Sequence, residues 1–273
     1  MVRTNHFAAA ALVCLFAGPV AGAEDRPFVC VSPRDGRYFE LTDGSPYIPI
    51  GLNIIHPATA GWDDYRRWFR TLEENGGNFV RVWLSHGTFD VEHEQSGVFD
   101  EARAGRIDEL FALARRHNIR LKLCIEHFRH LGEGTQRWAG KPLHHVDHGG
   151  PATSTADFFD GPAGRRRYRE KLDFCADRYG SDPIVFGWEL WNEMNAIREG
   201  DWRSWTAFML PELKRRFPEN LVMQSLGSYD TEAAGRQYLD LWRMPGNEVL
   251  NVHRYPDLGA RLTICHGPVD VGR

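Results

Sequence analysis

No excess of one charge sign marks this sequence: 33 Lys and Arg stand against 37 Asp and Glu, a formal net charge of −4. Apart from Arg165, Arg166 and Arg167, read as the solvated start of a helix, the basic residues are scattered. The electrostatic footprint of a nucleic-acid-binding face is therefore missing. No Gly-rich phosphate loop follows the first strand-like segment, which removes the main reason to expect a dinucleotide-binding sheet. After residue 24 there is no second long apolar run, no low-complexity linker and no break in composition, so one domain is expected over residues 24–273. Cysteine is scarce, with five residues. Cys14 falls in the N-terminal segment, and Cys30, Cys124, Cys175 and Cys265 allow three pairings between which sequence cannot choose. What is present is a globular composition, 42% hydrophobic and 12% aromatic, enough for one large core.

The N-terminus reads as an export signal over residues 1–23. Arg3 and His6 precede an apolar stretch, Phe7 to Val20, followed by the small residues Ala21-Gly22-Ala23. The stretch is shorter than the roughly 20 residues of a bilayer span and contains Gly18 and Pro19. A secreted or periplasmic protein with no membrane contact after cleavage is expected, and its remaining cysteines would meet an oxidising compartment where disulfides persist.

Beyond the signal, strand-like and helix-like patterns alternate. A hairpin with its turn at Asp43-Gly44 leads into a strand ending Ile50-Gly51-Leu52-Asn53. Trp62, Tyr65, Phe69 and Leu72 recur at helical spacing, stopped by Asn75-Gly76-Gly77. Strands are expected at 78–84, 121–128, 184–191, 221–226 and 249–253, and further helices carry Ile107 to Ala114, Tyr168 to Tyr179, Trp202 to Phe217 and Ala233 to Trp242. A loop rich in His, Gly and Pro covers 129–164. Strands alternating with helices force parallel pairing, because the chain must cross back before each new strand. The polar residues gather at strand carboxyl ends: Asn53, Arg81, Glu126-His127, Asn192-Glu193 and His253 with Tyr255. Catalytic groups in (β/α)8 barrels come from several strand ends around one mouth, so an α/β fold of the TIM (β/α)8 type is expected, C-terminally incomplete with about six of eight units.

The run Gly187-Trp188-Glu189-Leu190-Trp191-Asn192-Glu193 places two acids four apart, and strand alternation points Glu189, Trp191 and Glu193 to one face. Buried acids need a cation, and Arg81 on the second strand is the expected partner of Glu189. With Gly51-Leu52-Asn53, Arg81-Val82-Trp83 and His253-Arg254-Tyr255, the Trp-Glu-Leu-x-Asn-Glu motif resembles the retaining glycoside hydrolases of family 5, the cellulase and β-mannanase group. The likeness covers about residues 36 to 256. It implies that Glu193 is the general acid/base, that Asn192 bonds the sugar 2-hydroxyl, and that His253 and Tyr255 line the cleft. It further implies that Arg81 supports the nucleophile carboxylate and that His127 positions substrate. Trp83, Trp138 and Trp191 are candidate sugar-stacking platforms. The partner so implied is an oligo- or polysaccharide, and no cofactor is expected.

The likeness also sets a discrepancy. A retaining enzyme needs a second carboxyl about 5–5.5 Å from the first, and the family takes it from the seventh strand. Too few residues follow Tyr255 for two more strand-helix units, and Asp270 is the lone acid after Ala260. The expectation is a chain that carries the acid/base half of the site and is inactive alone, as a truncated product or fragment would be. Two other readings stay open. One is a non-catalytic carbohydrate-binding protein, and the other a metal-dependent hydrolase using His144, His145, Asp147 and His148, although that run lies between Pro142 and Gly149-Gly150, where a regular helix is doubtful.

Overall fold

The structure is a computed structural model that describes residues 26–55, 61–127, 143–197, 199–227 and 232–253. The expected signal, Trp138, Tyr255 and Cys265 lie outside these residues.

Three short strands, β1 (Val29–Val31), β2 (Phe39–Leu41) and β3 (Pro46–Tyr47), form an antiparallel sheet. The hairpin turn expected at Asp43-Gly44 joins β2 to β3, with Gly44 at φ 88, and the Asp43 carboxylate accepts from the Ser45 amide at 2.9 Å. There follow β4 (Gly51–Asn53), α1 (Trp62–Glu74), β5 (Phe79–Trp83), α2 (Glu101–Arg116) and β6 (Arg120–Glu126). After α3 (Thr155–Asp160) and α4 (Pro162–Tyr179) come β7 (Val185–Trp191), α5 (Trp202–Arg216), β8 (Leu221–Met223), β9 (Ser225–Leu226), α6 (Glu232–Trp242) and β10 (Asn251–Val252). Strands β4 to β8 make one five-stranded sheet in sequence order, every pair parallel. Beyond Gln224, β9 continues the path of β8 and pairs in parallel with β10. The architecture is mixed α/β, with a parallel sheet consistent with part of a (β/α)8 barrel.

The sequence explains where the elements begin and stop. Asp100 caps α2 by accepting from the Ala102 and Arg103 amides, and Asp201 does the same for α5 through Arg203 and Ser204. Pro162 opens α4, where its missing N–H costs nothing, and the helix follows α3 directly. The expectation of a featureless loop to residue 164 missed α3, whose Phe158 and Phe159 are buried. Helices cover one side of the sheet and bury Phe69, Ile107, Leu110, Leu172, Trp205 and Leu213 against it. The small antiparallel sheet closes the strands' amino ends: Phe186 near the start of β7 meets Phe39, Tyr47 and Phe79. The functional side chains gather at the opposite, carboxyl ends of the strands. No helix among the described residues is long and apolar enough to cross a membrane. Cys30, Cys124 and Cys175 are free thiols, so no disulfide joins them.

Candidate active site

Neighbouring strands bring their carboxyl-end polar residues into one cluster. The Arg81 guanidinium on β5 donates through Nε to Glu189 Oε2 at 2.9 Å and through Nη2 to Glu189 Oε1 at 2.7 Å. The same Nη2 donates to Asn192 Oδ1 at 2.7 Å, and Nη1 reaches Asn53 Oδ1 at 3.5 Å. Lys122 on β6 adds a second cation, its Nζ 3.0 Å from Glu189 Oε2. The Ser225 hydroxyl on β9 donates to Glu189 Oε1. All three charged residues are buried.

Burial alone would raise the Glu189 pKa, but the adjacent Arg81 and Lys122 charges more than offset that and hold the carboxyl well below the usual range. Burial pulls the Lys122 ammonium down to about 8, with Glu189 opposing and Arg81 reinforcing the fall. Glu189 is thus an anion fixed between cations, as expected for a structural partner of Arg81. Lys122 escaped the sequence reading. Its signal was a lysine on an alternate position of a strand whose Leu121, Leu123 and Ile125 are apolar.

Above this layer stands Glu193. Its Oε1 lies 2.7 Å from His253 Nδ1, and its side chain keeps 17% exposure, where Glu189 keeps none. The Glu193 backbone is left-handed, φ 49 and ψ 53, and its N–H donates to Ser225 Oγ at 3.1 Å. His253 is steadied by its own N–H, which donates to the Tyr238 hydroxyl at 3.1 Å. His127, at the end of β6, has Nδ1 2.6 Å from Ser85 Oγ and is itself buried. So Glu193, Asn192, Arg81 and His253 meet in one cluster. Tyr255 lies outside the described residues.

The aromatic expectations need correction. Trp191 is fully buried and packs edge-to-face on Phe159 at 5.1 Å and on Trp205 at 5.9 Å, in the helix layer. Strand alternation fails here because β7 ends at Trp191: the chain turns at Asn192-Glu193, and the large ring takes the dry space beside α3 and α5 while Glu189 faces the cations. Trp83 is 2% exposed, with one face covered by His127 at a ring separation of 5.0 Å, so it backs the histidine and offers no open platform.

The histidine-rich run does not converge. His144 is buried against Phe158 with Nδ1 2.8 Å from Ser96 Oγ, while the His145 ring turns to the Thr153 carbonyl at 3.1 Å. His144 instead approaches Glu92 and Glu126, the three offering ligand atoms within 4.8 Å of one another. Lys171 brings a positive charge to that cluster, its Nζ 2.8 Å from Glu126 and 3.5 Å from Glu92.

No family model matches the chain. It is 28% identical over 258 residues to mannan endo-1,4-beta-mannosidase 3 of Oryza sativa subsp. japonica, covering 82% of this chain and 54% of that protein. It is 24% identical over 272 residues to mannan endo-1,4-beta-mannosidase 4 of Solanum lycopersicum, covering 89% and 66%. The chain spans about half the length of the first of these relatives. Among solved structures, the endo-1,4-beta-mannanase of Rhizomucor miehei superposes with a TM-score of 0.64 at 18% identity, covering 81% of this chain and 69% of that one. A glycoside hydrolase family 5 mannosidase from the same organism gives 0.55 at 20% identity, covering 78% and 59%. The fold is shared with these two solved structures. The chain is therefore similar in sequence to mannan endo-1,4-beta-mannosidases and has a mixed α/β fold consistent with part of a (β/α)8 barrel, the fold it shares with these structures.

Proposed function

We propose that the chain carries the acid/base half of a secreted retaining glycoside hydrolase acting on β-linked mannan, with β-glucan as the neighbouring substrate class. The observation that carries this reading is the Glu193 carboxylate, part exposed and paired with His253, standing directly above an Arg81–Glu189–Asn192 network. Glu193 protonates the departing glycosidic oxygen and then accepts a proton from water. The Arg81 contact occupies Asn192 Oδ1 and leaves the amide NH2 as the donor for a sugar hydroxyl, a bond that strengthens as the oxocarbenium-like transition state forms.

Double displacement needs a second carboxylate as nucleophile. Glu189 does not serve: it has no exposure, sits deeper, on the strand that leads to Glu193, and is held by Arg81 and Lys122. We infer that the nucleophile comes from outside the described residues. We place the sheet within an eight-stranded barrel of which this chain supplies about six units, so the chain alone is expected to bind β-1,4-mannooligosaccharide without turning it over. Mannan hydrolysis by residues 24–273, abolished by Glu193→Gln, would refute the half-site reading.

The second reading, a non-catalytic sugar-binding protein, draws on the same captive Glu189. The encoding DNA beyond codon 273 separates the two: an apolar strand ending in Glu favours the hydrolase, and its absence the binding protein. Export belongs to the proposal as well. Protein recovered from the medium or periplasm is expected to begin at Glu24, whereas an intact Met1 in that fraction rules out the cleaved signal.

A further inference from the structure

Ser225 is fully buried on β9, and its hydroxyl works in two directions. As donor it bonds Glu189 Oε1; as acceptor it takes the Glu193 N–H at 3.1 Å. The Trp191 carbonyl, 3.5 Å away, is too distant to compete with the carboxylate for its one proton. Glu193 needs such an anchor, since a non-glycine residue holds a left-handed backbone only where its surroundings impose it. The other flank of the turn is tied to the same acid. Asn192 Oδ1 accepts from Arg81 Nη2, the nitrogen that also bonds Glu189 Oε1. Glu189 therefore grips both halves of the Asn192-Glu193 turn, Asn192 through Arg81 and Glu193 through Ser225. Gly227 completes the seat: a Cβ there would stand 3.3 Å from Glu193 Cδ, and its N–H is fixed by Asn195 Oδ1 at 2.7 Å.

We propose that Ser225 is a positioning residue for Glu193, its hydroxyl transmitting the anchorage of Glu189 to the left-handed turn and so setting the Glu193 carboxylate against His253. The proposal rests on Glu193 as the proton donor and adds the residue that aims it. Serine suits the position because a short side chain that both donates and accepts is required. Glu189 keeps its Arg81 and Lys122 bonds when the hydroxyl is removed, so Ser225→Ala retains the charge balance of the buried layer.

The test is the His253 ring in 15N-labelled protein, followed by long-range proton–nitrogen spectra at one fixed pH, with Glu193→Gln marking the ring when its partner is gone. Ser225→Ala is expected to move the His253 resonances toward that marker and to weaken β-1,4-mannooligosaccharide binding roughly tenfold, the size of one charge-assisted hydrogen bond. Ser225→Thr, which keeps the hydroxyl, is expected to restore both. Wild-type His253 resonances in a folded Ser225→Ala protein overturn the proposal, as does a Ser225→Thr protein that melts like wild type yet shows the displaced ring. Should Ser225→Ala not fold, Ser225→Cys, similar in volume but a poor hydrogen-bonding partner, decides: a displaced ring supports the role and a wild-type ring ends it. Wild-type protein that binds no mannooligosaccharide counts against the sugar reading, while the ring comparison still judges Ser225.

Discussion

Charge at the buried layer is unbalanced, two cations around one anion, and that imbalance decides what each substitution does. Glu189→Gln would leave Arg81 and Lys122 facing each other without a counter-ion, at an expected cost of about 3–5 kcal/mol in urea unfolding. Lys122→Met leaves the bidentate Arg81–Glu189 pair neutral and is expected to cost far less, so equal losses from the two variants would refute this ordering. The pH dependence follows from the same residues. The Glu189 carboxyl is held below its unfolded value, so its contribution to stability is in place above about pH 4.3 and is lost as pH falls through that value and below. Lys122 acts in the same sense on the alkaline side. It titrates at about 8 when folded, whereas an unfolded lysine stays charged to about 10.4. The unfolded chain therefore binds more protons between those limits, and stability gained from Lys122 rises with pH across that window. The difference in unfolding free energy between wild type and Lys122→Met, measured at pH 7, 8, 9 and 10, is expected to move in favour of wild type as pH rises; a flat difference would show that the buried ammonium is not strained.

At the scale of elements, close backbone approach governs the start of the sheet. Gly51 in β4 lies opposite Phe79 in β5, and a Cβ at Gly51 would fall 1.6 Å from the Phe79 carbonyl oxygen. Nothing flexible can yield there, since the obstructing atom is backbone. Gly51→Ala is expected to separate β4 from β5 and to cost about 3 kcal/mol, the upper end for overpacking, with amide exchange at Asn53 and Ile54 rising sharply; unchanged protection of the Ile54 amide, which donates to the Arg81 carbonyl at 2.9 Å, would contradict it. The elements were legible in the sequence wherever a periodic pattern met a stop: α1 ends at Asn75-Gly76-Gly77, and β5, β6 and β7 lie within a residue or two of the apolar runs that announce them. Interruption was not legible. The strand expected over 221–226 is split at Gln224, whose side-chain amide donates to the Trp191 carbonyl and to the Ser225 carbonyl at 2.6 Å, a tertiary contact that no local pattern encodes. The site divided the same way. Glu193, Asn192 and Arg81 were visible because charged and amide groups at strand ends stand out against apolar neighbours. Ser225 was invisible, because a serine beside Leu226-Gly227 reads as an ordinary turn residue until the fold carries it to Glu189.

For the molecule as a whole, the sheet's two sides are unequal. Among the described residues β4 pairs with β5 alone, and its Gly51, Leu52 and Asn53 are all exposed. Leu52 is 54% exposed and Ile50 just before it 56%, with Ile48 at 68%, so an apolar strip runs along a strand that, among the described residues, pairs on one side only. Such an edge templates pairing with another strand, and apolar side chains along it add a hydrophobic gain to the hydrogen bonds. Two cations on the same strip oppose that pairing by repulsion between copies, and their long stems still cover the apolar neighbours. Ile50→Lys with Leu52→Lys is therefore expected to lower self-association in sedimentation velocity without lowering the melting temperature, since neither side chain is in the core. A wild-type chain that sediments as a monomer at 100 µM would show that this edge is already covered within its own fold, and a double variant that associates as strongly as wild type would move the sticky surface elsewhere on the molecule.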